Sequence, residues 1–335
     1  MKAVVFDAHG PLDALEWRPW HDPVPEPGEV LVKVEAAALN GFDPMVLAGI
    51  PTLKTPLPMI PGGDVAGTVA ALGPDVPPQS WRMGDRVLVM PLQIGRGMMG
   101  ETLRGGFCEY VAVPQDYLVR IPDDVSFVDA AALPVAYGTA HRMMVERGKI
   151  AAGETVLILG ATGGVGTCCV QLAKLAGARA IACTSSSAKA EKLKGIGADH
   201  VINTCKQDWV AETRALCGKP RVYGEGGGVD AVVNYIGGES WAQALRTVRR
   251  DGRVLTCGAT DGYAPPTDLR YIWSYELNII GANGWEISDL EILLQMIAQK
   301  KLAPVIDCVR PMREVKQSMQ DLMDRKVFGK AVLVP

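Results

Sequence analysis

The chain has no Cys-x-x-Cys pair, no apolar run of membrane-spanning length and no surplus of positive charge, and each absence removes a class of function. Its eight cysteines are scattered, which indicates neither a disulfide framework nor a zinc finger. Lysine and arginine total 34 against 37 acidic residues, so no basic field draws the protein to nucleic acid or anionic lipid. The opening Met1-Lys2-Ala3-Val4-Val5-Phe6 lacks the basic head and long apolar centre of a signal peptide. These absences predict a soluble, cytoplasmic protein with neither a membrane nor a nucleic-acid partner. Cys168 and Cys169, neighbours in one helical segment, read as small packing residues. A chain of 335 residues has room for two domains.

What is present centres on residues 155–176. An apolar run at 156–159 flows into glycines, after which Val165, Cys169, Leu172, Ala173 and Ala176 recur at helical spacing up to Gly177. The order is strand, tight turn, helix. Ala161-x-Gly163-x-x-Gly166 is the dinucleotide fingerprint with alanine in the place of its first glycine. Gly163 lets the backbone approach a pyrophosphate, Gly166 lets the helix pack close on the strand, and the free N–H groups of the helix start face the anion. Ala161, Thr162, Gly163, Gly164 and Val165 are therefore the candidate phosphate cradle.

An ordinary strand-to-helix turn is the competing reading, and the surroundings argue against it. Strand-like runs follow at 178–183, 200–203, 229–235, 253–258 and 277–282, with helical stretches such as 189–194 and 239–250 between them. This alternation predicts a doubly wound parallel sheet. The first 120 residues differ: valine-rich runs at 30–39, 65–72, 85–90, 107–113 and 118–121 are mostly bounded by Gly or Pro and predict a mainly antiparallel β domain. Residues 91–106 form a glycine-punctuated loop without a period, either bordering a substrate or a solvated excursion. Residues 123–147 read as a helical passage between domains. Helical patterns at 290–297 and 315–322 precede a final strand, 330–334, that returns to the first domain.

The run Gly105-Gly106-Phe107-Cys108-Glu109-Tyr110-Val111-Ala112-Val113-Pro114, the segment Ala130-Ala131-Ala132-Leu133-Pro134 and the turn Gly160-Ala161-Thr162-Gly163-Gly164-Val165-Gly166 together resemble the medium-chain dehydrogenase/reductase superfamily over nearly the whole chain. The resemblance implies a GroES-like catalytic domain from residues 1–122 and 285–335, a Rossmann domain from 123–284, and an active site in the cleft. It also implies a homodimer, possibly a homotetramer, paired through the strand at 277–282.

Zinc dehydrogenases of this family hold their catalytic metal on a cysteine, a histidine and a further cysteine or acid, because zinc takes a tetrahedral set of thiolate and imidazole donors. Here the corresponding places are Asn40, Gly63 and Val135, and Cys108 is the sole cysteine where a structural zinc lobe needs four. Asp43 and Asp64 are either a minimal oxygen-ligand pair or capping residues. The expectation is no metal, and the zinc-free quinone oxidoreductase-like branch fits better.

An NAD site places an acid about 20 residues past the glycines. This chain has Thr184-Ser185-Ser186-Ser187-Ala188-Lys189, so Ser185, Ser186 and Lys189 are candidates for a 2′-phosphate, and NADPH is the expected cofactor. The alternative is a serine turn followed by a solvated lysine. Thr204 stands where NADPH-binding relatives often have tyrosine. By resemblance, Asn40 lies near the nicotinamide ribose and substrate oxygen and Thr139 near the carboxamide; a capping amide and a buried hydroxyl are the plainer readings. Gly258, Ala259 and Asn283 fall at strand carboxyl ends, where such sheets bind ligands. Tyr271, Trp273 and Trp285 line an acceptor pocket or else belong to the core or a subunit interface.

Without a metal, oxidising an alcohol lacks its main electrostatic support, whereas hydride addition to a conjugated acceptor delocalises charge on to oxygen. The expected activity is NADPH-dependent reduction of a small electrophilic acceptor, a quinone or an α,β-unsaturated carbonyl. An enoyl-thioester reductase of acyl-CoA type is the alternative, for which Arg96 and Arg104 are the hints. A third reading is a nucleotide-binding structural or regulatory protein, since some relatives serve as lens crystallins or RNA binders. No proton donor is named: Met45 or Val46 holds the place of a tyrosine used by some enoyl reductases, and Asp43 is a poor candidate.

Overall fold

A computed structural model describes residues 1–335, which divide into two compact units: 1–138 with 285–335, and 139–284. Each is an α/β or β assembly with its own apolar core.

The first unit is organised by the strand Glu29–Ala38. Its valines recur at every second position, so Val30, Val32 and Val34 point into the core while Lys33, on the opposite face, meets water. It pairs antiparallel with Asp64–Leu72 on one side and, on the other, with Tyr110–Pro114 and the terminal Lys330–Val334. The expected return of the last strand is therefore observed, with Val332 opposite Ala38. The hairpin pair Lys2–Val5 and Glu16–Pro19, the helix Asp43–Ala48 and the edge strand Ile306–Pro311 were not anticipated; each is short or interrupted by charge or proline. Residues 123–138 fall in this unit, not in the nucleotide domain that the sequence reading began at 123. The helix Phe127–Ala131 packs on Glu29–Ala38 and Asp64–Leu72, Tyr137 Oη accepts the Val305 N–H at 2.8 Å, and Gly138 lies beneath the Trp285 ring.

The second unit is a six-stranded parallel sheet: β1 (Thr155–Ile158), β2 (Arg179–Thr184), β3 (His200–Asn203), β4 (Val229–Val233), β5 (Val248–Thr256) and β6 (Asn278–Gly281). Their spatial order is 3-2-1-4-5-6, the doubly wound arrangement. Helix α1 (Gly164–Leu175) follows β1 and α2 (Ser187–Gly195) follows β2. The helix expected at 239–250 stops early: Gly238–Ala244 is helical and β5 already begins at Val248. Leu245 and Val248 are both buried, and a spacing of three satisfies a helix while Val248 in fact pairs with Val229 across a bulge. Helices Trp209–Cys217 and Leu269–Ser274 were not anticipated. No helix is long and apolar enough to cross a membrane. Cys168 and Cys169 are fully buried in α1, and burial pushes both thiols well above their ordinary range.

Candidate functional site

The turn between β1 and α1 is built by three close approaches. Gly160 takes the left-handed conformation, φ +66°, so the residue needing a glycine is one earlier than the fingerprint's first position and Ala161 is tolerated there. A Cβ on Gly166 would lie 2.4 Å from the Gly160 carbonyl oxygen and 2.6 Å from Ala161 Cα, so α1 sits directly against the strand exit. Gly163, the N-cap of α1, is the opposite case: a Cβ there would meet nothing nearer than 3.8 Å. That open, partly exposed space beside the helix start is the kind of cradle a pyrophosphate fills.

Tyr235, just beyond β4, braces this turn and was missed by the sequence reading. Its hydroxyl donates to the Gly160 carbonyl at 2.6 Å and accepts from the Gly166 N–H. Burial pushes the phenol well above its usual range, so it stays protonated and can donate. Its place at the carboxyl end of the strand beside β1, where the sheet order reverses, was the available signal.

The other candidates of this unit line the carboxyl ends of the strands. Ser185 follows β2 and is exposed, and Ser186 caps α2 through a long 3.4 Å bond to the Lys189 N–H. Across β3, Asn203 Nδ2 donates to Ser187 Oγ at 2.9 Å and the Thr204 N–H to the Thr184 carbonyl at 2.8 Å, so the serine loop is fixed from beside. No carboxylate occurs between Cys183 and Lys189. Gly258 and Ala259 follow β5, where the Thr260 and Asp261 N–H groups donate to the Tyr235 and Ile236 carbonyls, and Asn283 follows β6, exposed. Thr139 is buried at the start of the unit. Tyr271 packs on the sheet core and stacks on Tyr275, Trp273 is exposed, and Trp285 belongs to the first unit, where it covers Gly138.

In the first unit, Asn40 belongs to a fully buried polar cluster. Lys330 Nζ donates to Asn40 Oδ1 at 2.6 Å and to Asp64 Oδ2 at 2.9 Å, and Asn40 Nδ2 donates to the same Asp64 oxygen at 2.9 Å. Asp64 Oδ1 accepts the Val135 N–H at 2.9 Å, within the π-helical turn Leu133–Tyr137. Lys330 is 2% exposed and Asp64 0%. Asp43 Oδ2 accepts the Asn40 N–H at 2.8 Å, while its Oδ1 is buried without a partner. Burial pushes the Asp43 carboxyl up to about 7; the Asn40 N–H and Lys330 pull it down, and Asp64 and Glu101 push it up.

Arg96 and Arg104 of the 91–106 loop line one open cleft of about 230 Å³ with Trp20, Ile60 and Tyr110, and the loop folds partly into a two-stranded pair, Leu92–Gln93 with Gly97–Met98. Arg104 Nε donates to the Pro58 carbonyl at 3.1 Å, leaving its terminal nitrogens for another acceptor.

A doubly wound nucleotide unit and a β unit of this topology, carried on one chain, define a nicotinamide-dependent oxidoreductase. Residues 26–123 match the family model described as alcohol dehydrogenase GroES-like domain, and 164–299 that described as zinc-binding dehydrogenase. Over its whole length the chain is 30% identical to the human synaptic vesicle membrane protein VAT-1 homolog, covering 86% of that protein. It is 28% identical to mouse quinone oxidoreductase over 90% of this chain and 87% of the other. A crystal structure of an NAD-dependent alcohol dehydrogenase superposes over the full length of both chains with a TM-score of 0.92 at 34% identity. The chain belongs to the medium-chain dehydrogenase/reductase superfamily.

The zinc in one of those family descriptions can be tested against the residues. Asn40 Oδ1 is committed to an ammonium, and Asp64 is already paired with that same ammonium. Position 63 has no side chain, and a Cβ there would come within 3.0 Å of the Met99 carbonyl. Val135 offers only its backbone N–H. This donor set does not fit zinc. The β1–α1 turn, by contrast, fits a dinucleotide.

Proposed function

We propose that the protein is an NADPH-dependent, metal-free reductase of quinones or α,β-unsaturated carbonyls. The observation that carries this reading is the Asn40–Asp64–Lys330 cluster, in which a lysine ammonium satisfies the oxygen donors a metal would need. A bound nicotinamide supplies hydride. The protein's own part is to hold the pyrophosphate on the Gly163–Val165 backbone, to hold a 2′-phosphate on Ser185, Ser186 and Lys189, and to hydrogen-bond the acceptor oxygen through Asn40 as charge develops on it. Water completes the reduction by protonating the enolate or quinol oxygen anion.

The absence of an acid after β2 favours the phosphorylated cofactor, since a carboxylate there would repel a 2′-phosphate. Ser185→Asp is expected to shift the NADPH-to-NADH preference toward NADH by about 10-fold or more, the effect of about 1.4 kcal/mol of like-charge repulsion. An unchanged ratio of kcat/KM values would remove these residues from the cofactor site. The enoyl-thioester alternative is favoured by one observation, the two arginines on a single cleft.

The deciding experiment is NADPH oxidation against a panel of 1,4-quinones, enones and enoyl thioesters, with and without chelator. Turnover of quinones or enones that survives chelation is expected. Activity lost to chelator would overturn the metal-free reading, preference for the thioesters would select the alternative, and no turnover of any acceptor would favour a nucleotide-binding protein without catalysis.

A further inference from the structure

Lys330 is the one lysine buried to this degree, and it lies 266 and 290 positions from the partners it touches. A buried ammonium carries a large desolvation cost, and a conserved-volume apolar residue would serve folding as well or better. The arrangement around it does something an apolar residue would not. An ammonium only donates and a carboxylate only accepts, so Asn40, set between Lys330 and Asp64, has a single permitted amide orientation: Oδ1 toward the lysine, Nδ2 toward the aspartate. One Nδ2–H is used by Asp64 and the other is left. The charge 2.6 Å from Oδ1 draws electron density through the amide and strengthens that remaining N–H as a donor.

We propose that Lys330 is a positioning residue for the reduction, a tethered cation that orients and polarises the Asn40 amide for the acceptor oxygen. The proposal rests on the reductase reading above. Lys330 itself does not touch the substrate. Asp64 is its counter-ion at 2.9 Å, and the Val135 N–H fixes Asp64 in turn.

Lys330→Met alone strands the Asp64 carboxylate and is prone to unfolding, so the test pairs it with the double variant Lys330→Met/Asp64→Asn, in which both members of the buried ion pair are removed together. In the double variant, thermal stability is expected to return toward that of the parent while kcat for the best acceptor remains about 10- to 100-fold lower. The acceptor KM and the NADPH dissociation constant stay within about twofold, as for an interaction made in the transition state. Full kcat in the folded double variant would show that Lys330 serves folding alone.

A second readout needs no turnover. With ¹⁵N-asparagine labelling, the Asn40 side-chain amide of the parent is expected to give two sharply inequivalent, exchange-protected protons. In the double variant, where residue 64 can donate, the amide is expected to reverse or average. An Asn40 signal unchanged between the two overturns the orienting role, even if no acceptor in the panel is ever reduced.

Discussion

Replacing Gly166 by valine is expected to cost about 3 kcal/mol or more of stability and to weaken NADPH binding by about 100-fold in whatever protein folds. The reason is steric: the first added carbon would already lie 2.4 Å from the Gly160 carbonyl oxygen and 2.6 Å from Ala161 Cα. Both are backbone atoms of the turn, so α1 must retreat, taking with it the free N–H groups of the helix start, the proposed phosphate cradle, and the Gly166 N–H that Tyr235 accepts. Gly163→Ala separates the two effects. Its Cβ has room in the fold, with nothing within 3.8 Å, but it projects into the cradle. Near-normal thermal unfolding with a large loss of NADPH affinity by calorimetry is the expected result. Binding equal to that of the parent would place the nucleotide elsewhere.

The second large effect is a pH dependence centred on Asp43. Its carboxyl is fully buried, has one unpartnered oxygen and titrates near 7 in the fold against an ordinary 3.8. Below pH 4 the group is protonated in both folded and unfolded chains and its burial costs little. Between pH 4 and 7 the unfolded chain releases the proton while the folded chain keeps it, so the native state loses about 1.4 kcal/mol per pH unit from this group, levelling off above 7. Asp43→Asn does not titrate. Relative to the parent it is expected to gain about 2–4 kcal/mol between pH 4 and pH 8 in denaturant unfolding. Asp85, Asp199 and Asp321, held low by Arg120, Lys174 and Arg310 despite the cost of burial, act in the opposite direction but equally in both proteins, and cancel in the difference. A difference that does not change with pH would mean that Asp43 is ionised throughout.

The parts of the fold legible in the sequence were those whose signal is local. The run 156–159 and the glycines after it gave the strand and turn to within a residue, as did His200–Asn203 and Lys330–Val334. Where two periodicities agree with the same residues, as for Leu245 and Val248, the pattern cannot choose and tertiary pairing decides. The domain boundary failed for a similar reason: residues 123–138 look like a passage, and only the packing of Phe127–Ala131 and the Tyr137–Val305 bond assign them. At the candidate site the fingerprint and the serine loop could be read directly. Tyr235 and Lys330 could not, because their importance comes from what lies opposite them in space, and a lysine before Ala331-Val332-Leu333 reads as an ordinary strand end.

The split course of the first unit bears on how the protein is made. The nucleotide unit is one uninterrupted segment, 139–284, whose full sequence leaves the ribosome early enough to fold as a block. The β unit must wait, because Glu29–Ala38 lacks the Lys330–Val334 neighbour until translation has passed both halves of the unit and the segment between them. Until Lys330 emerges, Asn40 Oδ1 lacks its ammonium partner and Asp64 its counter-ion, so the buried polar cluster closes only when the strand Lys330–Val334 arrives.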